Sequence, residues 1–138
     1  MPITVFTPRT KKINLYADLR KDLAISPVSG DITLVKDEDA VKEALVNLIL
    51  TDPGERLMQP NIGGGVREML FENLTPAVLT LIKERVTDCV KLYEPRAELI
   101  DVTVAADMDS NNVSANIQFY IRNVEQPITL DVILERTR

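Results

Sequence analysis

The stretch Leu92-Tyr93-Glu94-Pro95-Arg96 marks the place where a long amphipathic helix ends and the chain turns into strands. Proline stops a helix because it has no backbone N–H and because its ring drives the preceding residue toward extended geometry. Glu94 and Arg96 therefore flank a stiff corner, and their side chains are expected to project to the same side. This paired acid and base has two interpretations. It is a docking corner for a protein partner, or a helix stop flanked by two solvated charges, since exposed ion pairs contribute only about 0–1 kcal/mol.

The composition describes an ordinary folded protein of one domain. The chain has 138 residues, of which 45% are hydrophobic and 27% are charged. The formal net charge of -5 argues against a nucleic-acid partner, because such proteins carry basic surfaces that neutralise phosphates. No apolar run approaches the ~20 residues that cross a bilayer, and no secretory signal opens the chain, so we expect no membrane partner. The single cysteine, Cys89, is compatible with a reducing cytoplasm.

The chain contains no histidine, which excludes serine–histidine and cysteine–histidine catalysis and nearly all zinc sites. Any enzyme chemistry therefore falls to carboxylates, and Glu55, Glu68 and Glu72 are the candidates for an acid and a nucleophile. The alternative is that they are ordinary surface or helix-cap charges, because nothing in the sequence creates an apolar pocket to keep one protonated. Gly63-Gly64-Gly65 lacks the Lys-Ser/Thr of a nucleotide loop and is expected to be a flexible or tightly packed turn. We assign no catalytic residue, no metal and no cofactor.

Helices are predicted before the corner. Asp37 is the predicted N-cap of a first helix, which is expected to end near Thr51 ahead of a Pro-Gly pair. A short helix is predicted over residues 66–71. Thr75 then caps the long helix, with Pro76 in the first position, where its missing N–H costs nothing. The inner face of this helix is apolar at helical spacing, at Val78, Ile82, Val86, Cys89 and Tyr93.

Strands are predicted after the corner. Residues 99–106 alternate only partly between apolar and polar side chains, whereas residues 113–122 alternate cleanly. The last strand sets its apolar residues on one face, at Ile128, Leu130, Val132 and Leu134. The predicted fold class is therefore α+β, with helices followed by a C-terminal antiparallel β-meander in a single domain. Residues 1–30 are interpreted as an extended N-terminal arm and residues 31–138 as the domain.

The final strand has nothing beyond it to cover its outer edge. Unpaired N–H and C=O groups on such an edge invite another chain to add a strand. The alternative is a protected edge, because Asp131, Glu135 and Arg136 carry charges that discourage pairing. The pattern alone is compatible with both interpretations.

Several pieces of the sequence occur in an order that resembles one family. They are Ala40-Val41 at the start of a helix, Asn47-Leu48, Thr51-Asp52-Pro53-Gly54-Glu55-Arg56, Pro60-Asn61-Ile62-Gly63, Leu70-Phe71-Glu72-Asn73 and Tyr93-Glu94-Pro95-Arg96. The ordered set, over about residues 31–138, resembles the small baseplate wedge proteins of contractile-tailed phages. This family is also called the sheath-initiator or lysozyme-like wedge family, and it includes a type VI secretion baseplate subunit.

The resemblance implies a structural role in a virion tail baseplate that is assembled in the host cytoplasm. In such proteins the Glu-Pro-Arg corner binds the helical core bundle of neighbouring wedge subunits, which falls here on Glu94, Pro95 and Arg96. The C-terminal strand joins strands of the first ring of sheath subunits, so that the sheath starts from the baseplate. In this chain that segment is Ile128, Thr129, Leu130, Asp131, Val132, Ile133, Leu134, Glu135 and Arg136. The Gly54-Glu55-Arg56 turn is expected to order its loop against the core.

The implied partners are baseplate wedge subunits and the tail sheath protein, with tail tube or hub proteins as further candidates. Two alternatives accompany this function. One is the type VI secretion counterpart, which uses the same physics in a cellular machine. The other is a carboxylate-based muramidase with Glu55 or Glu72 in its site, because members of the family have been called lysozymes by analogy.

Overall fold

A computed structural model describes residues 14–107, 109 and 112–135. Two short strands, β1 (Ala17–Leu19) and β2 (Leu34–Lys36), precede three helices, α1 (Asp37–Leu50), α2 (Val66–Leu70) and α3 (Pro76–Tyr93). Three longer strands complete the described chain, β3 (Ala97–Asp107), β4 (Asn112–Ile121) and β5 (Pro127–Glu135). This order confirms the predicted α+β class, with helices ahead of an antiparallel meander.

The three long strands form one antiparallel sheet in the order β3-β4-β5. β4 lies in the middle, and its first residue, Asn112, stands opposite Asp107 on one side and Glu135 on the other. The register of β3 shifts between Leu99 and Asp101. A β-bulge inserts one extra residue and turns the side chains that follow it. The bulge therefore explains why β3 alternates only partly in sequence while β4 alternates cleanly.

The helices cover the inner face of this sheet. α3 packs against β3, α1 packs against α3, and α2 contacts α3, α1 and β5. Thr75 caps α3 as predicted, since its Oγ1 accepts the Val78 N–H at 3.4 Å with Pro76 in the first turn. No helix of the described residues is long and apolar enough to span a membrane. The largest completely buried side chains come from helices and strands alike: Phe119, Leu45, Ile49, Ile82, Ile117 and Leu134.

Asp37 stands at the start of α1, but its side chain does not cap that helix, so this prediction was wrong. Its backbone has a φ of +50°, and its Oδ1 accepts the N–H groups of Leu15 at 2.7 Å and Tyr16 at 3.4 Å. The Asp37 N–H in turn donates to the Tyr16 carbonyl at 2.8 Å. The carboxylate accepts hydrogen bonds from backbone N–H groups of the N-terminal segment instead of from the first turn of the helix. No local sequence rule anticipates such a long-range contact.

The described part of the N-terminal segment is attached to the domain. β1 pairs antiparallel with β2, with Asp18 opposite Val35. Residues 1–13 of the predicted arm lie outside the described residues, and the predicted boundary at residue 30 stays a prediction. What the structure adds is that the chain just before β1 lies beside the start of α1.

Candidate partner-binding surfaces

The Glu94-Pro95-Arg96 corner lies where α3 gives way to β3. Glu94 leaves the helix with φ −122° and ψ 79°, and its carbonyl accepts the Ala97 N–H at 3.2 Å across the turn. The Arg96 carbonyl accepts the Arg122 N–H at 2.9 Å from the end of β4. Main-chain hydrogen bonds therefore fix both sides of the proline.

Glu94 and Arg96 form the predicted pair, and the pair is bidentate. Arg96 Nε donates to Glu94 Oε1 at 2.7 Å, and Nη2 donates to Oε2 at 2.8 Å. Only 6% of the Glu94 surface is exposed, against 28% of the Arg96 side chain. The hydrogen bond to Glu94 raises the pKa of Arg96 above its ordinary value, and burial opposes this only in part. The interpretation as two solvated charges is therefore wrong, because the Glu94 carboxylate is buried and forms an ion pair with Arg96.

Tyr16, just before β1, covers the guanidinium of the pair. Arg96 Cζ lies 5.6 Å from the centroid of the Tyr16 ring, within the range of a cation–π interaction. The Tyr16 hydroxyl donates to the Arg122 carbonyl at 3.5 Å, and its backbone is tied to Asp37. Sequence reasoning missed this residue, since contacts between segments so distant in the chain leave no periodic pattern. Its one signal was an aromatic residue in a chain with 4% aromatic residues.

Two apolar residues near the corner are exposed. Pro95 is exposed, and Leu92, on the last turn of α3, is also exposed. Among the described residues Arg96 Nη1 has no hydrogen-bond partner, because the pair with Glu94 uses Nε and Nη2. A partner that docks here therefore meets a proline ring, a leucine side chain and one guanidinium edge, whereas Glu94 acts from beneath by holding Arg96 in place.

β5 is an edge strand. It pairs with β4 on one side, and no strand within residues 14–107 and 112–135 pairs with its other side. Its inward side chains are buried or, at Leu130, half-buried, whereas Ile133 on the outward face is 63% exposed. Asp131 accepts a hydrogen bond from Asn116 directly across on β4, so its carboxylate is held over the sheet. Arg136, the last residue of the predicted sheath-binding segment, lies outside the described residues.

The carboxylates before and within α2 hold a loop together. Glu55 Oε2 accepts the Asp52 N–H at 3.1 Å, and Arg67 Nη1 lies 3.8 Å from Glu55 Oε1 and 3.7 Å from Asp52 Oδ2. Burial raises the pKa of Asp52, Arg67 opposes the rise, and Glu55 and Glu68 add to it. Glu72 is exposed after the end of α2. No group of three or more histidine, cysteine, aspartate or glutamate side chains in the described part of the chain is arranged to hold a metal ion.

Gly63-Gly64-Gly65 is a packed turn, one of the two forms predicted for it. Gly63 has a φ of +136°, and a Cβ at this position would collide with the Thr51 carbonyl oxygen. The Gly64 N–H donates to the same carbonyl at 3.1 Å. Cys89 lies beneath the turn. Burial raises the pKa of its thiol to about 11, and a hydrogen bond from the Gly63 backbone offsets part of this rise. This cysteine is a core residue and not a nucleophile.

Comparison with known proteins identifies the family. Residues 35–126 match the model of the baseplate wedge protein gp25 family, and this span includes the Glu94-Pro95-Arg96 corner. The chain belongs to this family. It is 25% identical to the baseplate wedge protein gp25 of Enterobacteria phage T4 over 119 residues, which cover 86% of this chain and 88% of that relative. The resemblance drawn from the sequence is confirmed, and the chain is a structural component of a tail baseplate.

Two solved structures share the fold. A candidate tail lysozyme from Geobacter sulfurreducens superposes with a TM-score of 0.69 at 25% identity, over 78% of this chain and 97% of that one. A chain of the anti-feeding prophage baseplate superposes with a TM-score of 0.62 at 26% identity, over 89% of this chain and 87% of that one. Both agree with the α+β fold, and the second agrees with the predicted location in a baseplate.

Proposed function

We propose that this gp25-family chain is a non-enzymatic subunit of a phage baseplate wedge that docks through the Glu94-Pro95-Arg96 corner and initiates the contractile sheath through β5. The observation that carries the proposal is a nine-residue strand that contains the exposed Ile133 and whose outer side is unpaired among the described residues. Strand addition supplies directional main-chain hydrogen bonds in a fixed register. A helical sheath needs that register from its first layer.

The other edge of the sheet is less suited to strand addition. β3 carries the bulge next to Ile100, and Asp101 forms an ion pair with Lys83 of α3 at 3.3 Å. β5 pairs with β4 without a shift in register, and a bulge discourages pairing with another chain. We therefore assign the sheath-binding role to β5, over Ile128–Glu135 and onward to Arg136.

A matched pair of variants tests this role. Ile133 on β5 and Ala105 on β3 both stand opposite Ser114 on β4, so they occupy one row on the exposed face at opposite edges. Ile133→Lys is expected to reduce the fraction of baseplates that carry sheath by on the order of tenfold, because a lysine on an edge strand disfavours pairing. Ala105→Lys is expected to leave sheath formation unchanged.

Negative-stain microscopy of purified baseplates incubated with sheath protein supplies the count, and circular dichroism shows that both variants are folded. Normal sheath growth on Ile133→Lys baseplates, or equal loss in both variants, contradicts the assignment of β5. A greater loss in Ala105→Lys transfers the role to β3.

The corner is tested through Pro95, because it is exposed and makes no side-chain hydrogen bond. Pro95→Glu places a charge on the outward side and keeps both members of the buried pair, and we expect it to abolish copurification with wedge subunits. Pro95→Ala, which loses the same ring without adding a charge, is expected to copurify. Thr80→Glu, on the exposed face near the start of α3, is the matched control. Copurification of Pro95→Glu at the level of the control removes the docking role.

The muramidase alternative predicts turnover of purified peptidoglycan that disappears in Glu55→Gln or Glu72→Gln. We expect no turnover by the unaltered protein, because Glu55 is engaged with Asp52 and Arg67 in ordering its loop. A phage tail is favoured over a type VI secretion machine because the curated relative that matches 86% of the chain is a phage protein. Gene neighbourhood distinguishes these two settings.

A further inference from the structure

The loop between α1 and α2 exposes two adjacent apolar side chains almost completely. Leu57 is 98% exposed and Met58 is 95% exposed, more than any large apolar residue of α3 or β5. A scattered exposed leucine is normal on a protein surface, but an adjacent pair at the tip of a loop contacts nothing in its own fold. These two side chains contribute no burial to the stability of the chain. Their position therefore calls for an explanation outside the fold.

The loop is held in one conformation by its own backbone. The Gly54 N–H donates to the Pro60 carbonyl at 2.7 Å and closes the base, and the Gln59 N–H donates to the Arg56 carbonyl at 3.3 Å around the tip. The Glu55 carboxylate adds a bond of 3.1 Å to the Asp52 N–H. Preorganisation of this kind lowers the entropy lost on binding. The tip is a fixed projection.

The charges of the loop divide between its base and its tip. Glu55 at the base is occupied by the Asp52 N–H and by Arg67. Arg56, next to Leu57, is exposed and has no ion-pair or hydrogen-bond partner for its side chain among the described residues. The tip therefore presents an apolar pair with one free cation beside it. A surface complementary to it is an apolar groove with carboxylates at its rim.

We propose that this tip, Arg56-Leu57-Met58, is an anchor that inserts into an apolar groove with an acidic rim on another protein subunit of the baseplate. The inference rests on the baseplate role proposed above and adds a contact separate from the corner and from β5. A lipid surface is a poorer occupant, because membrane-surface segments combine an apolar face with several cations, whereas this tip carries one.

The direct test places a photocrosslinking amino acid at position 58 of the full chain, in baseplates assembled from the coexpressed proteins of the same gene cluster. We expect a crosslink to a baseplate protein other than this chain. The double variant Leu57→Ser with Met58→Ser is expected to weaken incorporation into the baseplate by at least about tenfold. Because both side chains are exposed, its thermal unfolding should match that of the unaltered protein.

Val28 provides the control, since it is 95% exposed in a different turn, and Val28→Ser is expected to leave incorporation unchanged. Arg56→Glu is expected to weaken incorporation at low salt and to lose part of that effect at high salt. A crosslink to a second copy, sedimentation of the chain with vesicles of phosphatidylserine and phosphatidylcholine, or normal incorporation of the double variant overturns the proposal. Equal loss from Val28→Ser also overturns it.

The outcomes are distinguishable from failure of the proposed function. Pro95→Glu and Ile133→Lys report on the corner and on β5, whereas the crosslink at position 58 reports on the tip alone. If the Pro95→Glu variant is incorporated normally and the Leu57 and Met58 double variant is not, the docking role of the corner is wrong and the anchor is supported. The reverse result supports the docking role of the corner and contradicts the anchor.

Discussion

Replacing Arg96 with methionine should destabilise the folded chain, because it strands a buried carboxylate. The substitution keeps an unbranched side chain of similar length but removes the guanidinium and its two hydrogen bonds to Glu94, of 2.7 and 2.8 Å. The Glu94 carboxylate then retains a hydrogen bond from the backbone N–H of residue 96, which is long at 3.4 Å. Since 6% of Glu94 is exposed, water replaces the lost donors only in part.

The size of the effect follows from burial. Breaking a fully buried ion pair costs about 3–5 kcal/mol, and a hydrogen bond to a charged group is worth about 1.5–3 kcal/mol. Because 28% of the Arg96 side chain is exposed, solvent reaches the site, and we expect about 2–3 kcal/mol from the pair. The stacking on Tyr16 adds about 0.5–1 kcal/mol. For a chain of this length the sum corresponds to a fall in Tm of about 9–14 °C.

Urea and thermal unfolding followed by circular dichroism at pH 7 measure this change. Arg85→Met, on the exposed face of α3, is the control and is expected to stay within about 0.5 kcal/mol of the unaltered protein. The double variant Glu94→Gln with Arg96→Met leaves no charge behind, so it should be more stable than Arg96→Met alone by about 1–2 kcal/mol. A single-variant cost near that of the control, or a double variant less stable than the single one, refutes the reasoning.

Three further predictions follow from the packed core beside the loop. Cys89, with its pKa raised to about 11 by burial, should react with a thiol reagent at pH 8 only after unfolding, which absorbance of the released chromophore measures. The pKa of Asp52 is raised above 3.8 by burial, so the folded chain binds its proton more tightly and loses stability as pH rises through that raised value. Asp52→Asn should therefore raise Tm at pH 7 relative to the unaltered protein, and the gain should vanish near the unfolded pKa of about 3.9. Gly63→Ala places a Cβ against the Thr51 carbonyl and should lower the free energy of unfolding in urea by about 2–3 kcal/mol. Gly30→Ala should lower it much less, because Gly30 has φ +68° but open space around it. Rapid native labelling of Cys89, a lower Tm for Asp52→Asn at pH 7, or equal costs for the two glycine variants contradicts the corresponding prediction.

The fold was predictable because its signals are local. Thr75-Pro76 at the start of α3 and Pro95 at its end act through the backbone of adjacent residues, so their effect is visible in sequence. The clean alternation of β4 reflects its place in the middle of the sheet, with one face buried throughout. β3 was less clear because the shift in register after Leu99 changes which side chains face inward.

The candidate surfaces were predictable only in part. The Glu94–Arg96 pair follows from their spacing, but its burial depends on Tyr16 and Arg122, which reach the corner from distant parts of the chain. Asp37 was assigned to the wrong partner for the same reason, since the N–H groups it binds belong to another segment. The exposure of Leu57 is equally invisible in sequence, because an apolar residue in a loop is expected to pack somewhere.

The buried pair also changes how docking should be tested. Alanine at Glu94 or Arg96 is expected to lower stability as well as docking, so lost copurification in those variants has two causes. Pro95→Glu compared with Pro95→Ala separates them, because both lose the ring, only one adds a charge, and neither removes a member of the ion pair. The stability of Arg96→Met and the docking of Pro95→Glu therefore report on the inner and outer sides of one corner.

The most direct measurement of the central claim is amide hydrogen exchange of β5, with and without the sheath protein of the same particle. If a sheath strand pairs with the free edge, exchange of alternate amides over residues 128–135 should slow by at least about tenfold, because each outward N–H gains an acceptor. Exchange in β3 should stay unchanged. Exchange in β5 that is the same with and without sheath protein, while that protein binds the chain elsewhere, contradicts the account.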